Sequence, residues 1–391
     1  MSRLTSHAPG VGRVAGPLHD LLVVDFSRVL AGPFATMMLA DLGARVIKVE
    51  RPDGGDDSRT YGPFVEGRSL YFARVNRGKE SIALSLKDPA DLELARELVR
   101  RADVLVENFR PGVMTRLGLG PQEALELNPR LVYCSLSGFG HTGPWSRRPA
   151  YDAVVQGMSG IMAITGPSDG PPVKPGSPVA DLSAGLYAFG GICAALRAEV
   201  GTHLDVAMYD STVSLLEGAA LAWLATGQEP GRIGNAHFAI APFDTFRCAD
   251  RDITVCAAND LLFGALAAAL GLPGLLVDAR FTTNALRHEH RDALKALLES
   301  VLRTAGADHW LGVLETAGVP SGPINDVAEA VGSEQSRARN MVIDAGGLPV
   351  PGQPLKLSAW PDPPTRAAAP GLDQHGAAIR AQLSSDSGTS T

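Results

Sequence analysis

LLVVDFSRVLAGPFATMMLADLGARVIKVE, residues 21–50, is the stretch of the sequence that decides the fold. Its first six residues form a β-branched apolar run that is typical of a buried strand, and residues 44–50 alternate like a second strand. Pro33 suits the first position of a helix and Gly43 suits its end, so a helix is predicted over residues 34–42. A strand, a helix and a strand in this order predict two parallel strands.

The same alternation continues through the first two hundred residues. Further strands are predicted over residues 81–86, 103–109 and 131–139, and further helices over residues 89–101 and 121–127. Strands that alternate with helices indicate an α/β fold, here a large Rossmann-like domain with an open parallel sheet.

The character of the chain changes near residue 225, where a segment rich in Gly, Pro and Asn (residues 227–241) is typical of a linker. A strand pair and several helices follow and predict a smaller α+β module. We therefore expect a large α/β domain over residues 1–225 and a small α+β domain over residues 226–325. The last segment, residues 326–391, is expected to return to the large domain.

Composition excludes some classes of partner. The chain has 391 residues, of which 45% are hydrophobic and 20% charged, with a net charge of −7. This acidic balance argues against nucleic acid or an anionic membrane as the main partner. Four cysteines without a CxxC pair predict a reduced, cytoplasmic protein, and residues 1–16 lack the apolar core of a secretion signal.

The sequence predicts neither a metal site nor a membrane span. No HExxH motif occurs, and His288-Glu289-His290 lies in a charged stretch that is typical of a solvated helix start. The longest uncharged run of the second half, residues 261–277, is broken by Gly and Pro, which favours a core helix followed by a turn.

Asp181 is the first candidate for chemistry. It lies in Pro178-Val179-Ala180-Asp181-Leu182-Ser183-Ala184-Gly185, directly before an uncharged helical segment. Free backbone N–H groups and the helix dipole stabilise a carboxylate at such a helix start, and the small neighbours leave room around it. Two interpretations stay open, since Asp is both a good helix cap and a possible nucleophile.

Cations at predicted strand ends form a second candidate group. Arg51, Lys87 and Arg116 each follow a strand, and ligands of parallel sheets bind beyond the carboxyl ends of the strands. The three are either a binding set for a phosphate-rich ligand or ordinary surface charge. Tyr151-Asp152 is a polar pair in an apolar context, and it either completes its own hydrogen bonds or shapes the site of Asp181.

Several motifs taken in order carry a resemblance to a known family. They are Asp25 to Pro33, Val49-Glu50-Arg51-Pro52, Asn76-Arg77-Gly78-Lys79, Val106 to Gly112, Ser137-Gly138-Phe139-Gly140, Ala150-Tyr151-Asp152 and Pro178 to Gly185. Over roughly residues 18–375 the chain resembles the family III CoA-transferases, the group of formyl-CoA transferase and the carnitine CoA-transferases.

The resemblance implies an activity and a set of site residues. Asp181 takes the place of the catalytic aspartate, which forms a mixed anhydride with the acyl group and then an aspartyl-CoA thioester. Small neighbours such as Ala184 and Gly185 are expected to let backbone N–H groups stabilise the oxyanion, and Tyr151 and Asp152 are expected to belong to the same site. The residues implied to bind coenzyme A are Val29, Arg51, Leu84, Lys87, Asn108 and Arg116. The resemblance further implies an acyl-CoA thioester and a carboxylic acid as substrates, no tightly bound cofactor, and an interlocked homodimer.

Two alternatives remain open at this point, a 2-methylacyl-CoA racemase and a non-catalytic CoA-binding protein on the same fold. A racemase of this group carries His before the Asp, whereas this chain reads Ala150-Tyr151-Asp152, and His141 lies ten residues too early. Leu30 stands where formyl-CoA transferase has a polar residue, which argues against formate or oxalate. A short dicarboxylate, with succinyl-CoA as donor, is the favoured substrate pair.

Overall fold

The computed structural model describes residues 14–385, so both ends of the predicted domain ranges lie outside the described residues. The strands are β1 (Leu22–Asp25), β2 (Arg45–Glu50), β3 (Phe64–Val65), β4 (Arg68–Ser69), β5 (Glu80–Ala83), β6 (Val104–Glu107), β7 (Val132–Ser137), β8 (Thr202–Ala207), β9 (Phe243–Arg247), β10 (Asp252–Cys256), β11 (Ser321–Pro323), β12 (Val342–Ala345), β13 (Pro349–Pro351) and β14 (Thr365–Arg366). The helices are α1 (Ala31–Asp41), α2 (Leu70–Asn76), α3 (Pro89–Arg101), α4 (Val113–Arg116), α5 (Pro121–Leu127), α6 (Asp152–Met158), α7 (Val179–Ala198), α8 (Met208–Ser214), α9 (Glu217–Thr226), α10 (Asp260–Ala269), α11 (Asn284–Glu289), α12 (Arg291–Leu302), α13 (Ala307–Thr316), α14 (Val327–Gly332), α15 (Glu334–Ala338) and α16 (Gly376–Ser385).

Six parallel strands form the main sheet in the order β5-β2-β1-β6-β7-β8. Counted along the sheet this is the doubly wound order 3-2-1-4-5-6, so the predicted α/β class and its parallel sheet are confirmed. The order reverses between β1 and β6. The carboxyl ends of these two strands are therefore where a ligand crevice is expected.

The helix after β1 begins earlier than the sequence predicts. It starts at Ala31, so that Pro33 is its third residue instead of its first. Proline is tolerated there because the first N–H groups of a helix have no partner within the helix. In contrast, α3 and α5 have the predicted bounds, and the Asp88 side chain caps α3 by accepting from the backbone N–H groups of Ala90 and Asp91.

Apolar side chains fill both faces of the sheet. Leu22 and Val24 pack in one cluster, which also takes in α3, α5 and α16, whereas Val23 packs in the other, with α1 and α7. Successive residues of a strand point to opposite faces, so the continuous apolar run of β1 buries every side chain. Helices α1 and α7 approach closely where a Cβ on Gly185 would lie 2.9 Å from the carbonyl oxygen of Ala31.

The chain folds into two compact units. The large unit contains the six-stranded sheet and takes in Lys174–Ala225 and the segment from Ser333 onward, together with the chain up to Met162. The small unit comprises Ala163–Val173 and Thr226–Gly332, compared with residues 226–325 in the sequence prediction. The backbone N–H of Gly234 and the guanidinium of Arg232 donate to carbonyl oxygens in residues 166–170, which assigns that loop to the small unit.

Helix α7 corrects one interpretation of Asp181. Pro178 occupies the cap position and Asp181 is the third residue of the helix, so Asp181 is not the cap. By length and composition alone, α7 is the one helix in residues 14–385 that could cross a membrane, and 33% of its most apolar 18-residue stretch is buried. Core helices of soluble proteins pass the same test, so this is weak evidence for a membrane.

Asp41 joins the C-terminal segment to the large unit through two buried ion pairs. Its carboxylate accepts from the Arg77 guanidinium at 3.2 and 2.6 Å and from Arg366 Nε at 3.3 Å. All three side chains are about 2% exposed. Loss of this carboxylate would leave the buried Arg77 guanidinium without its counter-charge and Arg366 with Asp362, at 2.8 Å, alone.

We predict that Asp41→Asn lowers the free energy of unfolding of the large unit by about 3 to 5 kcal/mol, the cost of breaking a buried ion pair. Urea titration followed by circular dichroism measures this. Glu66→Gln is the matched control, because Glu66 pairs with Arg68 at 3.4 Å on the exposed surface and its loss is expected to cost about 1 kcal/mol or less. Equal effects of the two substitutions would contradict the prediction.

Candidate active site

Hydrogen bonds join the loop after β1 to the residue after β6, at the place in the sheet where the strand order reverses. The backbone N–H of Arg28 donates to Asn108 Oδ1, and Asn108 Nδ2 donates back to the Arg28 carbonyl oxygen, both at 2.7 Å. Val29 lies in the left-handed region with φ 68°, which a β-branched residue rarely adopts. The surrounding contacts therefore hold a strained loop in place.

Asp56 supplies one of those contacts. Its carboxylate accepts from the Val29 N–H at 3.2 and 3.3 Å and pairs with the buried Lys48 ammonium at 2.9 Å. Lys48 also donates to the carbonyl oxygen of Ser27 at 2.8 Å. Burial alone would raise the pKa of Asp56, but Lys48 and the Ser58 hydrogen bonds outweigh it and lower this pKa to about 2.

Asp25 and Lys79 form a second buried pair beneath the loop. Lys79 Nζ contacts Asp25 Oδ2 at 2.9 Å and also donates to the Pro33 carbonyl oxygen at 3.0 Å. The Asp25 carboxylate further accepts from the Ser27 backbone N–H at 2.9 Å and from the Thr36 hydroxyl at 2.7 Å. The start of α1 and the loop before it are thus anchored to one ionic cluster, in which the donors and acceptors satisfy one another.

Two cavities open on either side of this loop. The larger, of about 570 Å³, is lined by the ends of β2 and β5 and by residues that follow them. The smaller, of about 240 Å³, contains Asp181 and Tyr151. Arg28 and Phe109 line both cavities, and the Arg28 guanidinium lies 5.0 Å from the centre of the Phe109 ring. This stacked pair is the wall that the two cavities share.

The residues predicted to bind coenzyme A divide between these cavities. Arg51, Leu84 and Lys87 line the larger cavity, and Val29 and Asn108 line the smaller one. Arg116 lines neither; its guanidinium turns back toward Gly112, where an added Cβ would lie 3.5 Å away. The role of these residues stays a prediction, and the structure brings five of the six around the shared wall.

Asp181 has the environment of a poorly solvated carboxylate. Its side chain is partly buried, and it accepts no hydrogen bond within residues 14–385. Burial, and next the charge of Asp152, raise the pKa of Asp181 to about 7, while the charge of Arg74 opposes them. A carboxylate that few donors stabilise keeps its basicity, which is what nucleophilic attack requires.

Asp152 is the residue that caps α7. Its Oδ1 accepts from the backbone N–H groups of Ala180 at 2.9 Å and Asp181 at 3.4 Å, and its Oδ2 accepts from Gln156 Nε2 at 2.6 Å. The carboxylate is therefore engaged in structure on both oxygens. It acts on Asp181 through its charge and through the helix start that it fixes.

Tyr151 lines the smaller cavity together with Asp181, and it is 75% exposed. Its role in the site stays a prediction. Gly185 is a packing residue: it lies inside α7 against α1, where its N–H belongs to the helical hydrogen-bond ladder. Which backbone N–H groups stabilise the oxyanion stays a prediction.

Tyr151, and not a histidine, stands directly before Asp152, at the position where a racemase of this group carries its base. His141 lies elsewhere, with its Nε2 at 3.9 Å from Glu107 and its ring 5.3 Å from that of His203. Within residues 14–385 there is also no group of three or more metal-ligating side chains.

Sequence reasoning missed the wall and the anchor of the loop. Arg28 and Phe109 fall inside motifs that the sequence singles out, yet nothing in the sequence says that they stack. Asp56 lies in a polar Asp/Gly segment that is typical of a surface turn, although it is 2% exposed. A buried Lys48 inside a strand was the one available signal, because a buried ammonium requires a partner.

Comparison with known proteins agrees with the fold and the site. A family model described as CoA-transferase family III matches residues 18–376. The acetyl-CoA:oxalate CoA-transferase of Acetobacter aceti is 52% identical over 94% of this chain and 96% of its own length. The succinyl-CoA:glutarate CoA-transferase of Homo sapiens is 41% identical over 88% of this chain and 81% of its own length.

A solved structure gives the same result. The crystal structure of a CAIB/BAIF family protein from Brucella suis is 43% identical and superposes with a TM-score of 0.85, covering 94% of this chain and 100% of that one. The resemblance inferred from the sequence motifs is therefore confirmed, and the chain belongs to CoA-transferase family III, a family of enzymes.

Proposed function

We propose that this enzyme transfers coenzyme A from an acyl-CoA to a free carboxylic acid, with Asp181 as the covalent carrier. The observation that supports this most directly is the partly buried Asp181 carboxylate at the smaller cavity, which the Arg28–Phe109 pair separates from the cavity that suits coenzyme A. The exchange replaces one thioester by another, so it requires neither ATP nor a bound cofactor.

The first half of the reaction charges the enzyme. A carboxylate oxygen of Asp181 attacks the thioester carbonyl carbon, the carbon–sulfur bond breaks, and the thiolate of coenzyme A leaves with the electron pair. The thiolate then attacks the Asp181 carbonyl carbon of the mixed anhydride. This releases the donor acid as its carboxylate and leaves an aspartyl-CoA thioester.

The second half repeats these steps with the acceptor. The acceptor carboxylate attacks the aspartyl thioester and displaces the thiolate, which then attacks the acyl carbon of the new anhydride. The new acyl-CoA forms and the Asp181 carboxylate is regenerated. The charge of Asp152 destabilises the ionised Asp181 carboxylate, so it favours the first attack, in which Asp181 gives up its charge, and opposes this last step.

The larger cavity suits the nucleotide part of coenzyme A. Lys87 is exposed at its edge and forms no ion pair with any of residues 14–385, so its ammonium is available to a phosphate. Arg51 pairs with Asp57 at 2.8 Å but is 56% exposed, and a phosphate of higher charge can compete for it. Leu84, the residue after β5, borders this cavity but is 2% exposed and packs in the core, so its contact with the ligand stays a prediction.

Short dicarboxylates are the acceptors that we propose. The relatives named above transfer coenzyme A, by their names, to oxalate and to glutarate. The relative named for oxalate is 52% identical, so oxalate belongs among the candidates although Leu30 argued against it. The small volume of the Asp181 cavity, about 240 Å³, is compatible with acids of this size.

We also propose a homodimer, which the family resemblance implies to be interlocked. Helix α9 has no buried residue although it is almost entirely apolar, with Leu221 67%, Trp223 50% and Leu224 72% exposed. On α7, Leu186 and Tyr187 are each 51% exposed. Apolar surface of this extent on a water-soluble chain is typical of a subunit interface. A cytoplasmic location stays a prediction from cysteine usage.

The first test replaces the nucleophile. Asp181→Asn is expected to lower the rate of CoA exchange by about 10³-fold or more, because an amide oxygen does not displace a thiolate. Wild-type enzyme incubated with acyl-CoA and hydroxylamine should give a hydroxamate at residue 181 in mass spectrometry, and the variant should not. Asp292→Asn, at a 98% exposed side chain, is the matched control. Exchange at the native rate in the Asp181 variant would refute the covalent mechanism.

The second test is the pH dependence of enzyme acylation. The pKa of Asp181 lies at about 7 and the nucleophile is the ionised form, so the acylation rate should fall as the pH decreases through about 7. Asp152→Asn removes the charge that raises this pKa and should move the fall to lower pH.

Glu107 provides the control for this profile, because burial raises its pKa to about 7 as well and it lies next to Asn108. If Asp181 causes the fall of the acylation rate at low pH, this fall should persist in Glu107→Gln. A fall that disappears in Glu107→Gln, or that does not move in Asp152→Asn, would assign the titration to another group.

The third test concerns the dimer. Light scattering after gel filtration should give twice the 40.9 kDa chain mass. If the chains are interlocked, mixing two differently tagged dimers should give no mixed dimer until the protein is unfolded and refolded together. A monomer would contradict the dimer, and rapid subunit exchange under native conditions would contradict the interlocking.

A further inference from the structure

Two of the three arginines that line the cavity of Asp181 have no carboxylate partner. The three are Arg28, Arg110 and Arg148. The Arg28 guanidinium pairs with Asp57 at 3.1 Å. Arg110 and Arg148 form no ion pair within 4.0 Å with any carboxylate of residues 14–385. Their positive charges are therefore available to an anion that enters the cavity.

Arg148 differs from Arg110 because an aromatic ring holds its side chain in place. The Cζ atom of Arg148 lies 5.2 Å from the centre of the Trp145 ring, and the Arg148 backbone N–H donates to the Trp145 carbonyl oxygen at 2.8 Å. The Trp145 ring in turn meets the rings of Phe139 and Tyr209 edge-on, with 5.7 and 5.3 Å between the ring centres. A guanidinium stacked on a ring keeps its N–H groups free for an acceptor at its edge.

The cavity combines this cation with the other groups that a small acid needs. Asp181 and Arg148 line the same cavity, whose volume is about 240 Å³. The lining also includes the apolar residues Leu136, Ala150 and Met208. One short ligand thus finds the reactive carboxylate, apolar surface for a methylene chain and a cation without a counter-charge in a single space.

We propose that Arg148 binds the non-reacting carboxylate of a dicarboxylic acid while the other carboxylate reacts at Asp181. This rests on the proposed function and assigns a preference for diacids to one side chain. A guanidinium binds a carboxylate through two parallel N–H···O bonds, and the stacking on Trp145 fixes the plane of the guanidinium beforehand. A monocarboxylate of equal length carries a methyl group at that end and makes no such contact.

The test compares matched acids as acceptors. Under the proposed mechanism every donor leaves the same aspartyl-CoA enzyme, so kcat/KM for the acceptor does not depend on the donor thioester. It is measured with succinate against butyrate and with glutarate against valerate, in the wild type, Arg148→Gln and Arg148→Lys. We expect Arg148→Gln to lower kcat/KM for the diacids by about 10-fold and to change that for the monoacids much less. Arg148→Lys should be intermediate, because an ammonium keeps the charge without the bidentate geometry.

Arg147 provides the matched control. It is exposed, carries the same charge in the preceding residue and lines neither cavity, so Arg147→Gln should leave the ratio between diacids and monoacids unchanged. Arg110→Gln tests the second unpaired cation and is expected to change kcat/KM for both classes of acid by the same factor. Arg148 is itself exposed, so its loss should not affect folding, which circular dichroism checks.

The outcomes distinguish this proposal from the proposed function. Equal changes for diacids and monoacids in Arg148→Gln, or a selective loss for diacids in Arg110→Gln instead, would overturn the role of Arg148 while the transferase activity stands. If the wild type transfers no coenzyme A, the proposed function fails, and calorimetry decides the role of Arg148 separately. The wild type should bind succinate more tightly than butyrate, and Arg148→Gln should lose this difference; equal binding of the two acids by the wild type would overturn the role.

Discussion

The buried ion pair between Lys48 and Asp56 is the constraint on which the site depends. It places a carboxylate where it accepts the N–H of Val29, and so holds a β-branched residue in a backbone conformation that it would otherwise avoid. Both cavities are built around that loop. A buried pair of this kind adds little net stability compared with apolar packing, but it fixes one geometry because no other arrangement satisfies both charges.

Within residues 14–385, Asp181 lacks the hydrogen bonds and the ion pair that stabilise the loop after β1. The backbone N–H groups at the start of α7 are given to Asp152, and Asp181 has neither these nor a salt bridge. Asp152 thereby combines two functions, because the cap that stabilises the helix also brings a second negative charge beside the first. A substitution of Asp152 would consequently change both the stability of the start of α7 and the reactivity of Asp181.

Much of the framework could be predicted from the sequence. The apolar run of β1, the alternation of β2, the Asp88 cap of α3 and the range of α5 are local signals, and the structure follows them. Partnerships across the chain were not predictable: Asn108 was expected to bind a ligand, but its amide closes the loop at Arg28, and Arg116 turns toward its own helix. Such choices depend on which atoms the fold brings together, and an isolated motif does not contain that information.

The stacked wall of Arg28 and Phe109 has an evolutionary consequence. One face of this pair borders the larger cavity and the other borders the cavity of Asp181. A substitution of Arg28 or Phe109 therefore changes the affinity for coenzyme A and the selectivity for the acid at the same time. Selection for a new acid substrate through changes in this wall would therefore also weaken the binding of coenzyme A. Sequence differences between related enzymes are therefore expected to concentrate on the side of the smaller cavity that lies away from this wall, where a substitution does not affect the binding of coenzyme A.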